Sequence, residues 1–276
     1  MRLCTFRRAG DPAPAPGILE GDRVRRIAAP DLVAYLAGGC SAPLAEDHAA
    51  AEVTLLAPIP EPPSIRDFFA FERHVATTRA RRGENVPDFW YAEPVFYFTN
   101  PAAVLGPDEP VPYPEGTEML DYELEVAAVI GAGEQIAGFT VLNDWSARDV
   151  QRAETSVGLG PAKGKDFGTS MGPVLVTADE FDGSAGLMTA SVNGVELSRG
   201  DLAEMHFGWA DLRRRAVRNT RLRPGDVLGS GTVGSGCILE HETQNWLRPG
   251  DVVELAVAGL GVLRNIVVPP NGTGRS

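Results

Sequence analysis

The run "LDYELEVAAVIG", residues 120–131, constrains this chain more than any other stretch. Asp121, Glu123 and Glu125 alternate with Tyr122, Leu124 and Val126, so an extended strand puts the acids on one face and the apolar side chains on the other. Neighbouring acids on that face are roughly 6.6 Å apart at the backbone, near enough for their side chains to converge. The run then continues as "VAAVIG", apolar on both faces, which reads as a strand heading into a core. Carboxylates carried inward need a partner, or they take up protons. Oxygen ligands suit a hard divalent cation such as Mg²⁺, Mn²⁺ or Ca²⁺. Glu123 and Glu125 supply two ligands, and a third has to come from elsewhere. "LNDWSARD" offers one in Asp144, where an apolar strand gives way to a polar turn. Taken alone, Asp144 reads as a helix N-cap, as do Asn143 and Ser146. Beside the acidic strand, the balance moves to a ligand.

The charge balance excludes some partners. With 37 acidic and 25 basic residues the formal net charge is −12, which argues against a nucleic-acid groove or an anionic membrane surface. The first residues, "MRLCTFRRAGDPAPAPG", carry no apolar core of signal-peptide length, and no run reaches membrane-spanning length. Cytoplasmic residence is the expectation. Cys4, Cys40 and Cys237 are odd in number and share no short spacing, so they read as reduced, packed thiols rather than as a cysteine-based zinc site.

With 31 Gly and 22 Pro spread along 276 residues, the chain favours many strands and turns over long helices. Residues 1–60 read as a short N-terminal section: a strand, a Pro-Ala turn and the helix-like "APDLVAYLAGG". The Pro-rich "APIPEPPS" (57–64) leads into the main body, residues 61–276. Phe68, Phe71 and Val75 recur at helical spacing ahead of a basic run and Gly83. "IAGFTVLNDWSARDVQRAE" predicts a strand over 139–142, a polar turn and a helix. "PVLVTADEF" predicts another strand, and "LMTASVNGVELSRG" a hairpin with Asn193-Gly194 at its tip. "LRPGDV" occurs at 222–227 and 247–252, each copy a turn leading into an apolar segment. The sum is a β-rich α+β body.

Three motif matches fail on context. "GSGTVG" (229–234) fits a dinucleotide fingerprint but opens no clear helix. "PAKGKD" lacks the first glycine and the Ser/Thr of a phosphate loop. "GTSMG" (168–172) fits a nucleophile elbow around Ser170, yet Pro173 and the β-type "VLVTA" follow where a helix is required.

"DYELEVAAVIG", "VLNDWSARDVQ", "GKDFGTSMGP" and "GSGTVGSGCILE" together resemble the fumarylacetoacetate hydrolase family in order and spacing, over about residues 61–268. The resemblance implies a mixed β-roll catalytic domain, a homodimer, and one divalent cation per site, Mg²⁺ or else Mn²⁺ or Ca²⁺. Carried over by position, Glu123, Glu125 and Asp144 match its metal ligands, and Asp67 in "RDFFAFERH" matches a fourth carboxylate. Lys165 and Thr169 match polar groups beside metal and substrate. His74 matches the family's catalytic histidine and Glu240 the acid that orients it. Tyr97, Arg148, Gln151 and Thr232 match positions near the substrate. Asp121 has no counterpart and reads as an acid supporting the ligands. Phe69 stands where the animal enzyme has a substrate-contacting tyrosine. The arginine expected after His74 has three candidates in Arg79, Arg81 and Arg82.

The implied chemistry is metal-dependent hydrolysis of a C–C bond in a 1,3-diketone or acylpyruvate, with His74 and Glu240 activating water and Lys165 assisting the enolate. The rivals are decarboxylation or keto–enol tautomerisation of a 2-oxo acid such as oxaloacetate at the same site. A catalytically silent metal- or ligand-binding protein is a third reading, and the His–Glu pair argues against it.

Overall fold

The structure, a computed structural model, describes residues 1–270. The N-terminal section forms strands β1 (Arg2–Arg8), β2 (Asp11–Glu20), β3 (Arg23–Ile27), β4 (Leu44–Ala49) and β5 (Val53–Leu56), with helix α1 (Leu32–Ala37) between β3 and β4. The expected Pro-Ala turn is instead the strand β2. Its proline-bearing half pairs with β1 alone, because pairing with β3 starts at Gly17, so the missing proline N–H groups interrupt no second ladder.

Next come β6 (Ile65–Phe68), α2 (Glu72–Ala80), α3 (Asp88–Ala92), β7 (Phe96–Thr99), β8 (Val104–Leu105) and β9 (Pro110–Pro112). Helical spacing of Phe68, Phe71 and Val75 overstated the helix: Phe68 ends β6, Phe71 caps α2, and only Val75 lies within it. Both phenylalanines are nevertheless buried in the same core, so the spacing reported burial correctly and conformation wrongly.

The remaining elements are β10 (Leu120–Asp121), β11 (Leu124–Ile130), β12 (Ile136–Asp144), β13 (Ser146–Ala147), α4 (Arg148–Thr155), β14 (Thr169–Thr177), β15 (Leu187–Val192), β16 (Val195–Asp201), α5 (Trp209–Val217), β17 (Val227–Gly229), β18 (Val252–Val257) and β19 (Gly261–Val268). Asn193 (φ 52°) and Gly194 (φ 79°) close the β15–β16 hairpin, both in the left-handed region that a two-residue turn of this kind needs. The two "LRPGDV" turns lead into β17 and β18.

Among the described residues, a twelve-stranded sheet runs β4-β3-β2-β1-β14-β12-β11-β17-β6-β7, with β5 paired to β1 and β8 to β14. A five-stranded sheet, β16-β15-β18-β19-β9, packs against it through β12 and β14. The N-terminal strands therefore extend the main sheet, and Cys4, Phe6 and Val24 share its larger core. β11 is buried on both faces. Val126, Ala128 and Ile130 enter that core, while Ala127 and Val129 join Leu3, Ile27, Leu32 and Leu142 on the face covered by α1. A one-residue slip of β11 would exchange its two faces and carry the Glu125 carboxylate into the larger apolar core, so it is strongly disfavoured. This is an α+β architecture of the β-rich kind.

Candidate active site

The carboxylates continue one apolar face of the main sheet to its end. Residues two apart share a face. Glu125 therefore lies with Ala127 and Val129, Asp67 with Ile65, Asp144 with Leu142, and Thr169 with Met171. Asp67 on β6 pairs with Gly229 on β17, and Gly229 pairs with Ala127 on β11. A Cβ at Gly229 would sit 2.3 Å from Asp67 Oδ1 and 3.2 Å from Glu125 Oε2. Glycine is required there, because the two carboxylates meet over its bare backbone.

Carboxylate oxygens of Asp67, Glu123 and Glu125 lie within 4.8 Å of one another, all buried. The Lys165 ammonium donates to both Glu123 and Asp144, and the Tyr97 hydroxyl donates to Asp144. Glu125 accepts from the Gly231 N–H (3.1 Å) and the Thr232 hydroxyl (3.2 Å). Gly231 adopts φ +79°, and a Cβ there would strike the Phe68 carbonyl at 2.4 Å. The glycine-rich run thus serves close backbone approach.

Burial pushes Asp67 and Glu125 well above the usual carboxylate range, and the neighbouring charges of Asp144 and Asp67, respectively, push them further. Glu123 is buried too, but Arg148, Lys165 and His74 together hold it well below that range. Burial disfavours the Lys165 charge, and Asp144 and Glu123 outweigh it, so the ammonium is retained. The cluster is short of positive charge on its Asp67–Glu125 side. Asp67 Oδ1 and Asp144 Oδ1 are also buried without a hydrogen-bond partner, which native structures rarely tolerate. Four inward carboxylates with two orphaned oxygens fit a hard divalent cation.

His74 projects from the buried side of α2. Its Nδ1 lies 2.8 Å from Glu240 Oε2 and its Nε2 4.0 Å from Glu123 Oε1, while Phe69 packs edge-on against the ring at 5.2 Å between centroids. Burial raises the Glu240 carboxyl, but His74 more than offsets this and leaves it below its ordinary value. Glu240 sits on a single 3-10 turn, Ile238–Glu240. Arg81 Nη2 secures that turn by donating to the Glu240 and His241 carbonyls, each at 2.8 Å. Arg79 and Arg82 lie instead beside Glu84.

Asp121 departs from the simple alternation. β10 ends at Asp121, and Tyr122 and Glu123 belong to no strand before β11 begins. The Asp121 carboxylate accepts from the N–H groups of Ile238 (2.8 Å) and Leu239 (3.0 Å) and from Arg148 Nε (2.8 Å). Arg148 Nη2 reaches Glu123 at 2.8 Å, and Nη1 reaches Gln151 Oε1 at 3.2 Å. Arg148 is therefore clasped between two carboxylates, and Asp121 joins the Glu240 turn to the carboxylate cluster.

Asp67, His74, Tyr97, Glu123, Glu125, Asp144, Arg148, Gln151, Lys165, Thr232 and Glu240 fall in this connected region, whereas Arg79 and Arg82 lie outside it and the Ser170 side chain is on the opposite face of β14. Its hydroxyl accepts from Trp145 Nε1 at 2.8 Å, inside a continuous strand. Three contributors to the frame were not among the site candidates, since Asn143 read as a helix cap, Cys237 as a packed thiol, and Ser230 was not named. Asn143 accepts the Glu123 N–H (2.9 Å), Ser230 accepts the Val126 N–H (3.1 Å), and Cys237 donates to Glu240 at 3.5 Å. The signal that could have found them is their place in the quoted motifs, Asn143 in "VLNDWSARDVQ" and Ser230 and Cys237 in "GSGTVGSGCILE".

Residues 64–268 match the family described as fumarylacetoacetate (FAA) hydrolase, C-terminal, and residues 1–58 match one described as Rv2993c-like, N-terminal. The chain is 32% identical over 231 residues to the mitochondrial oxaloacetate tautomerase FAHD2A of Homo sapiens, covering 79% of this chain and 70% of that protein. It is similar in structure to a 5-carboxymethyl-2-hydroxymuconate delta-isomerase from Mycobacterium smegmatis (TM-score 0.78, 28% identity, 98% and 100% covered). It is also similar to a fumarylacetoacetate hydrolase from psychrophilic Exiguobacterium antarcticum (TM-score 0.79, 26% identity, 98% and 99% covered).

Proposed function

Because this chain belongs to the fumarylacetoacetate hydrolase family, we propose that it is a divalent-metal-dependent enzyme that hydrolyses a C–C bond in a 1,3-diketone or acylpyruvate. The observation that carries this reading is the His74–Glu240 pair, 2.8 Å apart, with the other ring nitrogen turned toward Glu123 at the carboxylate cluster. Glu123, Glu125, Asp144 and Asp67 would hold the cation, Mg²⁺ by preference for an all-oxygen set. When bound, it supplies polarisation of a substrate carbonyl and charge to offset an enolate.

The protein's own groups do the rest. Glu240 holds the imidazole with Nδ1 facing it, which leaves Nε2 free to accept a proton from water. The resulting hydroxide adds to the carbonyl. The bond to the adjacent carbon then breaks, its electron pair leaving with the departing fragment as an enolate. His74 returns the proton to that carbon, so one water is consumed and one acid and one ketone are released. The Lys165 ammonium offsets the developing negative charge. Arg148, fixed by Asp121, keeps Glu123 ionised and in place.

The test is direct. Magnesium-loaded protein is incubated with fumarylacetoacetate, short acylpyruvates and oxaloacetate, and products are identified by NMR. Cleavage of a diketone into acid and ketone is expected; turnover of oxaloacetate alone, without C–C hydrolysis of any diketone, overturns the proposal. Keto–enol tautomerisation is the second reading, favoured by the similarity to the human oxaloacetate tautomerase. Its signature is enol loss without any cleavage product.

A further inference from the structure

Cys237, His74 and Glu240 come from two elements far apart in the chain, yet one ligand atom of each lies within 4.8 Å of the others. Nδ1 of His74 is 2.8 Å from Glu240 Oε2, and Sγ of Cys237 is 3.5 Å from the same carboxylate oxygen. Tetrahedral zinc bonds of about 2.0–2.3 Å place neighbouring ligand atoms roughly 3.3–3.6 Å apart. The Cys–Glu edge already matches that spacing, the His–Glu edge must open by about half an ångström, and the Cys–His edge lies within 4.8 Å.

The geometry points to a second, thiophilic metal site at the base pair, with Zn²⁺ bound by Cys237 Sγ, His74 Nδ1 and Glu240 and a fourth position open. No spacing in the sequence announces it, because His74 is on α2 and the other two are on the turn after β17. The turn is held in place independently of those ligands, by Asp121 on the Ile238 and Leu239 N–H groups and by Arg81 on the Glu240 carbonyl. Anchored ligands of this kind are what a preformed metal site requires.

Charge and softness both separate this site from the carboxylate cluster. Thiolate and carboxylate together cancel a divalent ion, giving a neutral set in a buried place. Sulfur and imidazole select Zn²⁺ or Co²⁺ over Mg²⁺, which takes the all-oxygen cluster. Binding moves protons in a defined way. The thiol proton is released to solvent, and the ring proton shifts from Nδ1, which now gives its lone pair to zinc, to Nε2. A protonated Nε2 on a neutral ring cannot accept a proton from water. Zinc at this site is therefore inhibitory, a consequence that rests on His74 being the base; the binding itself does not.

The experiment adds Co²⁺ to full-length protein already saturated with Mg²⁺ and records the near-ultraviolet spectrum. The expected result is a thiolate-to-cobalt charge-transfer band that saturates at one equivalent, is bleached by Zn²⁺, and is absent from Cys237→Ser. A carboxylate-bound cobalt ion gives no such band. Turnover should fall as Zn²⁺ fills the site, and half-inhibition of Cys237→Ser should need roughly 100-fold more zinc. No band in the wild type, or a band that persists in Cys237→Ser, overturns the site. Should Cys237→Ser fail to fold, zinc-edge X-ray absorption of the wild type decides instead: one sulfur in the shell supports the site, and an all-oxygen shell overturns it. A cobalt band with undiminished turnover upholds the site while removing His74 as the base, so the two readings fail separately.

Discussion

Ser170 and His74 show how little a side chain's chemistry says without its direction. The Ser170 hydroxyl accepts from the Trp145 indole on the face away from the carboxylates. Ser170→Ala should leave turnover within a few-fold, serine-directed phosphonates should not label the protein, and stability should fall by about 1–3 kcal/mol because a buried N–H loses its acceptor. Stoichiometric labelling at Ser170 would reverse that assignment. His74 and Glu240 are expected to act as one unit, so their mutational effects should not add. His74→Ala should slow C–C hydrolysis by about 10²–10⁴-fold. Glu240→Gln should cost less, and the double variant should match His74→Ala. Wild-type rates in His74→Ala on every diketone tested would reduce the pair to a structural contact. At the carboxylates, Glu123→Gln or Asp144→Asn should weaken Mg²⁺ binding by at least tenfold in calorimetry, since neutral amides are poorer ligands for a hard cation. Unchanged affinity in both would remove them from the ligand set.

At the scale of elements, the site depends on a strand that contributes no side chain to it. β17 separates β6 from β11, and Gly229 lets Asp67 reach over it toward Glu125. Gly229→Ala introduces a methyl group 2.3 Å from Asp67 Oδ1, against a carboxylate packed between strands. Metal affinity should drop by roughly 10–100-fold while the far-ultraviolet circular dichroism stays that of the wild type. An alanine variant that binds Mg²⁺ normally would show that Asp67 is not a ligand. The break between β10 and β11 works in the same way. By leaving the strand at Tyr122, the chain turns Asp121 toward Arg148 and the Glu240 turn, which connects the His74–Glu240 pair to the carboxylate cluster through Glu123.

For the whole molecule, the sheet makes the N-terminal section and the main body one packed structure. β1 pairs with β14, which also pairs with β12, the strand that ends in Asp144, and Phe6 and Val24 lie in the core that also holds Val126 and Phe139. Removing residues 1–58 should uncover that edge and open the core, leaving a fragment that aggregates or unfolds well below the intact protein's midpoint. A fragment with native circular dichroism and full Mg²⁺ affinity would contradict this. No helix among the described residues is long and apolar enough to cross a membrane.

The sequence by itself determined the β-rich character and the family, because these are written in local alternation, turn residues and motifs of fixed order, and the resemblance to that family named the carboxylates and the His74–Glu240 pair as candidates. "LEVAAVI" reads as a strand heading into a core and forms one buried on both faces, and Asn193-Gly194 closes a hairpin. Only the tertiary structure decided what depends on partners distant in the chain. The prolines of β2 became strand because one side of that half-strand is unpaired. Phe68 became strand rather than helix because β6 is held between β17 and β7. Arg81, rather than Arg79 or Arg82, reached the Glu240 turn. Cys237 came beside His74 across 163 positions, a convergence that no short-range pattern encodes, since long-range packing fixes it and local conformational preference does not.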